Sequence, residues 1–497
     1  MARAVRSNRA MSQATAFDPY AMPVDALREP PASLWGALKQ IGPGIILAGS
    51  IIGTGELLVT TKLGADHGFL LLWLILFSCV IKVFVQVELG RYAISSGKPT
   101  LGALHDLPGP RFGTHWLVWW WLFMLFATVF QLGGMLGGVG QAMHLLFPQV
   151  TAAVASVAEG ISPAWRDLVR QHPADPWAVV AAAIAVILLL SGGYRRIELL
   201  TTFLVASVTL VTVVCVASLP FSGFPIRGSD VEAGFSFAMP ATAVTVAFSA
   251  FGITGVGASE LYSYPYWCLE KGYARYSGKC EAGEGWARRA KGWMRVLYLD
   301  AWVSMLVFTV ATVAFYVMGA TVLHRSDLHP QKERLMEDLA QMYVRAFGHP
   351  WTKTLFLIGA SVVLFKTLYV ASAGHSRLTA DFLGLAGFVY YPQAQRRARW
   401  IQFFCVFYPV LALALYLVFG NPQAMVVFGG VAQGITLPVI TAATIYLRFR
   451  RTDPRLAPSL FTDGCLWLAF FAITGGAIYS VPTTVVEYWQ VLQQWWK

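Results

Sequence analysis

Two glutamates stand where a membrane-buried chain seldom tolerates a charge. Glu56 belongs to the run Gly53-Thr54-Gly55-Glu56-Leu57, and Glu260 to the run Gly257-Ala258-Ser259-Glu260-Leu261, each inside a long apolar stretch. In hydrocarbon an unpaired backbone amide or a charge costs roughly several kcal/mol. Unwound backbone and carboxylates therefore persist at that depth only where they line a protein cavity. Glu56 and Glu260 are the candidate metal ligands. Beside them Gly53, Thr54, Gly55, Thr254, Gly255, Gly257 and Ser259 are the candidate substrate-binding residues. Carboxylates, hydroxyls and freed carbonyls make an all-oxygen shell, which suits a hard ion such as Mg²⁺ or Mn²⁺ better than a soft one. The simpler role for each Glu is to cap the amides at the start of its own half-helix.

Two lysines complicate the charge of such a site. Lys82 lies in Val80-Ile81-Lys82-Val83-Phe84 and Lys366 in Leu364-Phe365-Lys366-Thr367, both midway along apolar segments. Neither reaches an interface easily by snorkelling. Pairing with a carboxylate is the expected solution, so Lys82 or Lys366 would neutralise Glu56 or Glu260. The null charge that results attracts a bare dication poorly and suits a small polar or zwitterionic organic solute. With Gln86 and Gln131, the two lysines form a set of candidate coupling groups or charge partners, and protons are a possible co-substrate because buried Lys and Glu can load and release them. A permanent salt bridge that fixes helix packing is the plainer role for either lysine.

These residues need elements that hold them at one depth. The chain has 497 residues, of which 56% are hydrophobic and only 13% charged; a soluble domain carries about twice that charged fraction. Windows of roughly 20 residues give about eleven apolar spans. They lie near 38–65, 69–93, 115–146, 175–193, 197–220, 238–268, 295–322, 351–378, 399–420, 423–447 and 461–483. Residues 1–37 are polar and basic, without the apolar core of a signal peptide, and read as a flexible cytoplasmic tail. Residues 484–497 read as a C-terminal tail.

The net charge of +11 does not point to nucleic acid, because the basic residues fall in loops between spans rather than along one face. Arg195-Arg196, Arg288-Arg289-Lys291, Arg396-Arg397-Arg399 and Arg448-Arg450-Arg451 all fall on one side if the N-terminus is cytoplasmic. That assignment puts about 25 of the 37 Lys and Arg inside, and with eleven spans leaves the C-terminus outside. A multi-pass plasma-membrane protein is expected, with the lipid bilayer as its surroundings. The six cysteines show no metal-binding spacing, and no cofactor is implied.

The two Gly-Glu breaks sit at corresponding places in two halves, which is the sequence pointer to an inverted-repeat secondary transporter with its site at the bilayer midplane. The expected fold is all-α, with spans one to five (38–220) and six to ten (238–447) as the repeats and the eleventh appended. Gly42-Pro43-Gly44 opens the first repeat. Pro240 opens the second, where Gly252, Gly255 and Gly257 interrupt the sixth span.

Several of these segments resemble the Nramp (natural resistance-associated macrophage protein) family of divalent metal transporters, which have the leucine-transporter fold. The resemblance rests on Gly42-Pro43-Gly44 with the break at 53–56, Gly64-Ala65-Asp66-His67-Gly68-Phe69, Leu72-Trp73, Gln86, Arg91 and Gly97-Lys98. It continues through Tyr194-Arg195-Arg196-Ile197-Glu198, Glu260-Leu261-Tyr262 and Leu437-Pro438. It implies broken first and sixth helices and alternating access. At the first break the family's Asp-Pro-Gly-Asn is replaced by Gly53-Thr54-Gly55-Glu56, and at the second its Met-Pro-His by Gly257-Ala258-Ser259. The family's acids in the third helix appear as Gln131 and Gly134. The missing methionine thioether removes the soft donor that favours transition metals. Members of the wider family without it are associated with magnesium.

An enzyme would show convergent His and acids or a nucleophile, such as a His-Glu-x-x-His run, and a sensor would carry a signalling domain. Neither pattern is found. A secondary transporter of a divalent cation is the leading expectation, a transporter of a polar organic solute the alternative, and a membrane sensor or enzyme the least favoured.

Overall fold

The computed structural model describes residues 18–495 apart from 19, 54, 331–333 and 392. Thr54, one of the candidate site residues, lies outside the described set. Among the described residues nine helices are long and apolar enough to cross a membrane, and up to eleven spans result if each of two bent helix pairs counts as one. The only β structure among them is the two-residue pairing of Arg111–Phe112 with Thr114–His115.

The first span is split into α1 (Pro43–Ile51) and α2 (Gly55–His67), bent by 41°. Helices α3 (Leu72–Ser96), α4 (Trp116–Leu146), α5 (Asp175–Ser191) and α6 (Tyr194–Ala217) follow. The sixth span is split into α7 (Val244–Ile253) and α8 (Ala258–Lys271). Then come α9 (Glu284–Met318), α10 (Trp351–Leu385), α11 (Ala394–Phe419), α12 (Pro422–Arg450) and α13 (Leu460–Trp495). Local chemistry sets many of these limits. Gly97 and Gly420 take left-handed conformations that stop α3 and α11. Asn421 accepts from the Ala424 amide and Pro422 follows it, which starts α12.

Several elements run further than apolar windows indicate. Helix α9 begins at Glu284, because Trp286 and Trp293 bury their rings below the basic cluster. Helix α13 continues through 484–495, residues assigned above to a tail. The N-terminal segment is docked in part. Tyr20 bonds Asp381 and Arg397, and Arg28 exchanges backbone bonds with Tyr276 and the Trp293 indole.

The broken helices sit at the centre. Helix α1 packs on α6, α9, α10 and α8; α7 packs on α12; α8 packs on α3. The free amides that open α1 are satisfied from a distance. Asp300 of α9 accepts from Gly42 N at 2.8 Å and Gly44 N at 2.6 Å, and from the Tyr264 hydroxyl at 3.0 Å. A carboxylate at a helix N-terminus is favoured by the positive end of the macrodipole. Asp300 therefore anchors the start of α1. Next to it, Lys271 at the end of α8 joins Glu198 of α6 at 2.5 Å and the Ile41 carbonyl at 3.1 Å.

Candidate substrate site at the two helix breaks

Each break exposes carbonyls at the end of its first half and amides at the start of its second. At the end of α1, the carbonyls of Gly49 and Ile52 accept from the Lys366 ammonium of α10, at 2.8 Å for Gly49, and the Thr367 hydroxyl lies 3.3 Å from both. Gly53 is required there by close approach, since a Cβ would fall 2.3 Å from Thr367 Oγ1. At the end of α7, the carbonyls of Phe251 and Thr254 accept from the Lys82 ammonium of α3 at 2.6 and 2.5 Å, with the Ser78 hydroxyl at 3.4 and 3.0 Å. Gly255 follows with a φ of +65°, and its backbone presses on α3, where a Cβ would meet Cys79 Cα at 2.8 Å.

The expected Lys–Glu pairs are thus replaced. Lys82 and Lys366, both fully buried, are satisfied by backbone carbonyls, and neither comes within 4.0 Å of a carboxylate among the described residues. The negative end of a half-helix takes the place of the carboxylate.

The two glutamates differ. Glu56 opens α2, is 0% exposed, and accepts from Gly53 N at 3.1 Å, with Thr312 Oγ1 of α9 at 3.4 Å. Glu260, 8% exposed, accepts from Ser50 Oγ of α1 at 2.7 Å and Ser259 Oγ at 2.8 Å. The Ser259 amide donates to Gln433 Oε1 of α12 at 3.1 Å, and Gln433 Nε2 donates to Gln131 Oε1 of α4 at 2.9 Å. Glu260 is therefore the hub of an oxygen-rich network drawn from α1, α8, α12 and α4. Among the described residues Glu56 and Glu260 share no hydrogen-bond partner, and no group of three or more His, Cys, Asp or Glu could hold a metal ion.

The remaining candidates fall around this hub. Gly257 lies so close that a Cβ would meet Gln433 Oε1 and Glu260 Oε2 at 2.6 Å. Gly55 begins α2 beside Ile253 of α7. Gln86 is buried one turn from Lys82, and among the described residues neither of its amide atoms nor the Thr254 hydroxyl has a hydrogen-bond partner. Gly252, expected to help interrupt the span, stays helical and lets α7 approach α12, where a Cβ would meet Gly430 O at 2.2 Å. Sequence reasoning missed Ser50, Ser78, Thr312 and Thr367. For Ser78 the available signal was helical spacing, since it lies one turn before Lys82.

A family model described as natural resistance-associated macrophage protein-like, Nramp, matches residues 44–483. An uncharacterised protein of Pasteurella multocida strain Pm70 is 22% identical over 446 residues, covering 84% of this chain and 86% of its own. The divalent metal cation transporter MntH of Bacillus subtilis strain 168 is 24% identical over 388 residues, covering 76% of this chain and 77% of its own. Among solved structures, the Eremococcus coleocola manganese transporter in complex with an aromatic bis-isothiourea substituted compound superposes with a TM-score of 0.65 at 14% identity. That match covers 93% of this chain and 90% of the other. At that identity the likeness is one of fold.

Proposed function

The chain belongs to the Nramp family, whose model spans residues 44–483, and from that premise we propose that it is a secondary transporter of a hard divalent cation of the Mg²⁺ or Mn²⁺ class. The observation that carries this reading is the shell around Glu260. Its carboxylate, the Ser50 and Ser259 hydroxyls and the Gln433 amide oxygen are all hard donors, and the Gly257-Ala258-Ser259 segment brings no sulfur. The name of the Bacillus subtilis relative, a divalent metal cation transporter, supports the same class.

In this proposal the cation binds Glu260 and turns the serine lone pairs toward itself in place of their protons. Because Ser50 is on α1 and Ser259 on α8, binding draws the two broken helices together, as alternating access about a midplane site requires. Glu56 joins as second carboxylate once it releases the Gly53 amide. The two repeats, 38–220 and 238–447, are taken to rock about this site, with the N-terminus cytoplasmic and the C-terminus outside a plasma membrane. The basic clusters at the starts of α6, α9 and α11 and at the end of α12 support that orientation.

A second reading, transport of a small polar or zwitterionic organic solute, draws on two features among the described residues, the lack of a multi-acid cluster and the unbonded amide of Gln86. Flux into proteoliposomes separates the two, with a divalent-sensitive dye reporting Mg²⁺ and Mn²⁺. Saturable uptake lost in the Glu56→Gln, Glu260→Gln double variant supports the cation. No flux of either ion from folded protein rejects it in favour of the organic solute.

A further inference from the structure

Before it enters α1, the chain runs alongside the first turns of α9. Pro30 seats on Gly292 so closely that a Cβ there would meet Pro30 Cγ at 2.1 Å. Further along α9, Asp300 holds the Gly42 and Gly44 amides. At 1.5 Å per residue, Gly292 and Asp300 are about 12 Å apart along the helix. In the chain between these contacts lies a short helix, Leu34–Leu38, which packs on α9 and is capped by Ser33 Oγ on the Gly36 amide at 3.0 Å. It leaves Leu34 68% and Trp35 75% exposed. Because α1 enters its apolar span at Pro43, this helix lies at the membrane surface, a depth that favours tryptophan.

The same turns of α9 carry Arg288, Lys291 and Arg295, all exposed and spaced to share one helical face. With Glu29, Pro30 and Gly292 they line a cleft of about 590 Å³. Neighbouring Arg289 is different, since its guanidinium donates to the Ser277 carbonyl at 3.1 Å. Arg288 meets Glu29 at 2.9 Å in a pair open to solvent, which a competing phosphate displaces at little cost. Among the described residues the Lys291 and Arg295 side chains have no ion-pair or hydrogen-bond partner.

We infer that this cleft binds the headgroup of an anionic phospholipid. Lys291 and Arg295 hold the phosphate, Arg288 joins them on leaving Glu29, and Leu34 and Trp35 lie among the glycerol backbone and the upper acyl chain. A row of cations beside exposed apolar side chains at the membrane surface matches both parts of such a lipid. A soluble phosphate would use the cations alone and would have no need of the tryptophan and leucine. Neither the solute carried nor the orientation of the chain in the membrane enters this assignment.

The test uses full-length protein purified in a neutral detergent. Binding of phosphatidylglycerol with a fluorophore on its acyl chain is followed by anisotropy, against unlabelled phosphatidylglycerol, phosphatidylcholine and inorganic phosphate as competitors. Wild type should bind saturably, and only unlabelled phosphatidylglycerol should displace the probe. The Lys291→Gln, Arg295→Gln double variant should bind about 30-fold more weakly, a factor of about five for each basic residue near an anionic lipid. Trp35→Ser keeps every basic residue and should weaken binding about fivefold. The control is Arg396→Gln, Arg399→Gln, which removes two exposed charges at the start of α11 and should change binding less than about twofold. Equal loss in the control overturns the site in favour of general attraction to a basic surface. Displacement by inorganic phosphate overturns the lipid as occupant, and equal displacement by phosphatidylcholine overturns headgroup recognition. If the double variant is not recovered folded, Lys291→Gln and Trp35→Ser decide, and wild-type affinity in both overturns the assignment.

Discussion

At the first break Glu56 turns back on its own chain and holds the Gly53 amide, whereas at the second break Glu260 reaches away, to Ser50 on the other broken helix and, through Ser259 and Gln433, to α12 and α4. The carbonyl ends of the two breaks are nearly the same and the carboxylate ends are not. Identical carbonyl ends meet a need common to any interrupted buried helix, which is to satisfy orphan carbonyls. Different carboxylate ends divide the labour. Glu56 bonds within its own break, and Glu260 links the two broken helices, the parts that move in the proposed cycle.

Glu260→Gln should have the largest effect on transport, lowering uptake by about 100-fold, which corresponds to about 3 kcal/mol for losing a charged partner. The check is initial rates in proteoliposomes with matched protein content. Lys366→Met leaves the buried Gly49 and Ile52 carbonyls with only the longer Thr367 hydroxyl contacts and should cost about 2–4 kcal/mol of stability, read as a fall in Tm. Glu56→Gln keeps an acceptor for Gly53 and should fold normally with uptake reduced about fivefold, while Glu56→Ala should lose about 1–3 kcal/mol of stability. That order, Gln mild and Ala severe, sets Glu56 apart from Glu260. Ser50→Ala should raise the apparent KM for the cation about tenfold, the value of one hydrogen bond to a charged group. Thr312→Ala removes the long contact to Glu56 and a bond to the Phe308 carbonyl of its own helix, and should change uptake by less than about twofold.

Much of this architecture was legible in the residues. Glycine and glutamate placed together inside apolar spans are costly unless the backbone is broken there, and both breaks lie where those pairs indicated. The Nramp resemblance, noted from the glycine, proline and arginine positions, agrees with a family match across 440 residues. Less legible was the fate of Lys82 and Lys366. Formal charges can be counted in a sequence, and counting them led to Lys–Glu pairs. The competing acceptor, a half-helix terminus worth roughly half a charge, has no letter of its own. Ser50 and Thr312 were hidden for a related reason, since hydroxyl residues are common in spans and bond their own helix. The starts of α9 and the end of α13 escaped apolar windows because amphipathic helix continues beyond the hydrocarbon, with tryptophans such as Trp286 buried under charged turns.

Titration calorimetry of Mn²⁺ and Mg²⁺ into purified wild type, Glu56→Gln and Glu260→Gln tests the central claim most directly. Saturable binding in wild type, retained with weaker affinity in Glu56→Gln and abolished in Glu260→Gln, is the predicted result. Equal loss in both variants would contradict the division of labour between the two breaks, and undiminished binding in Glu260→Gln would remove Glu260 from the cation site.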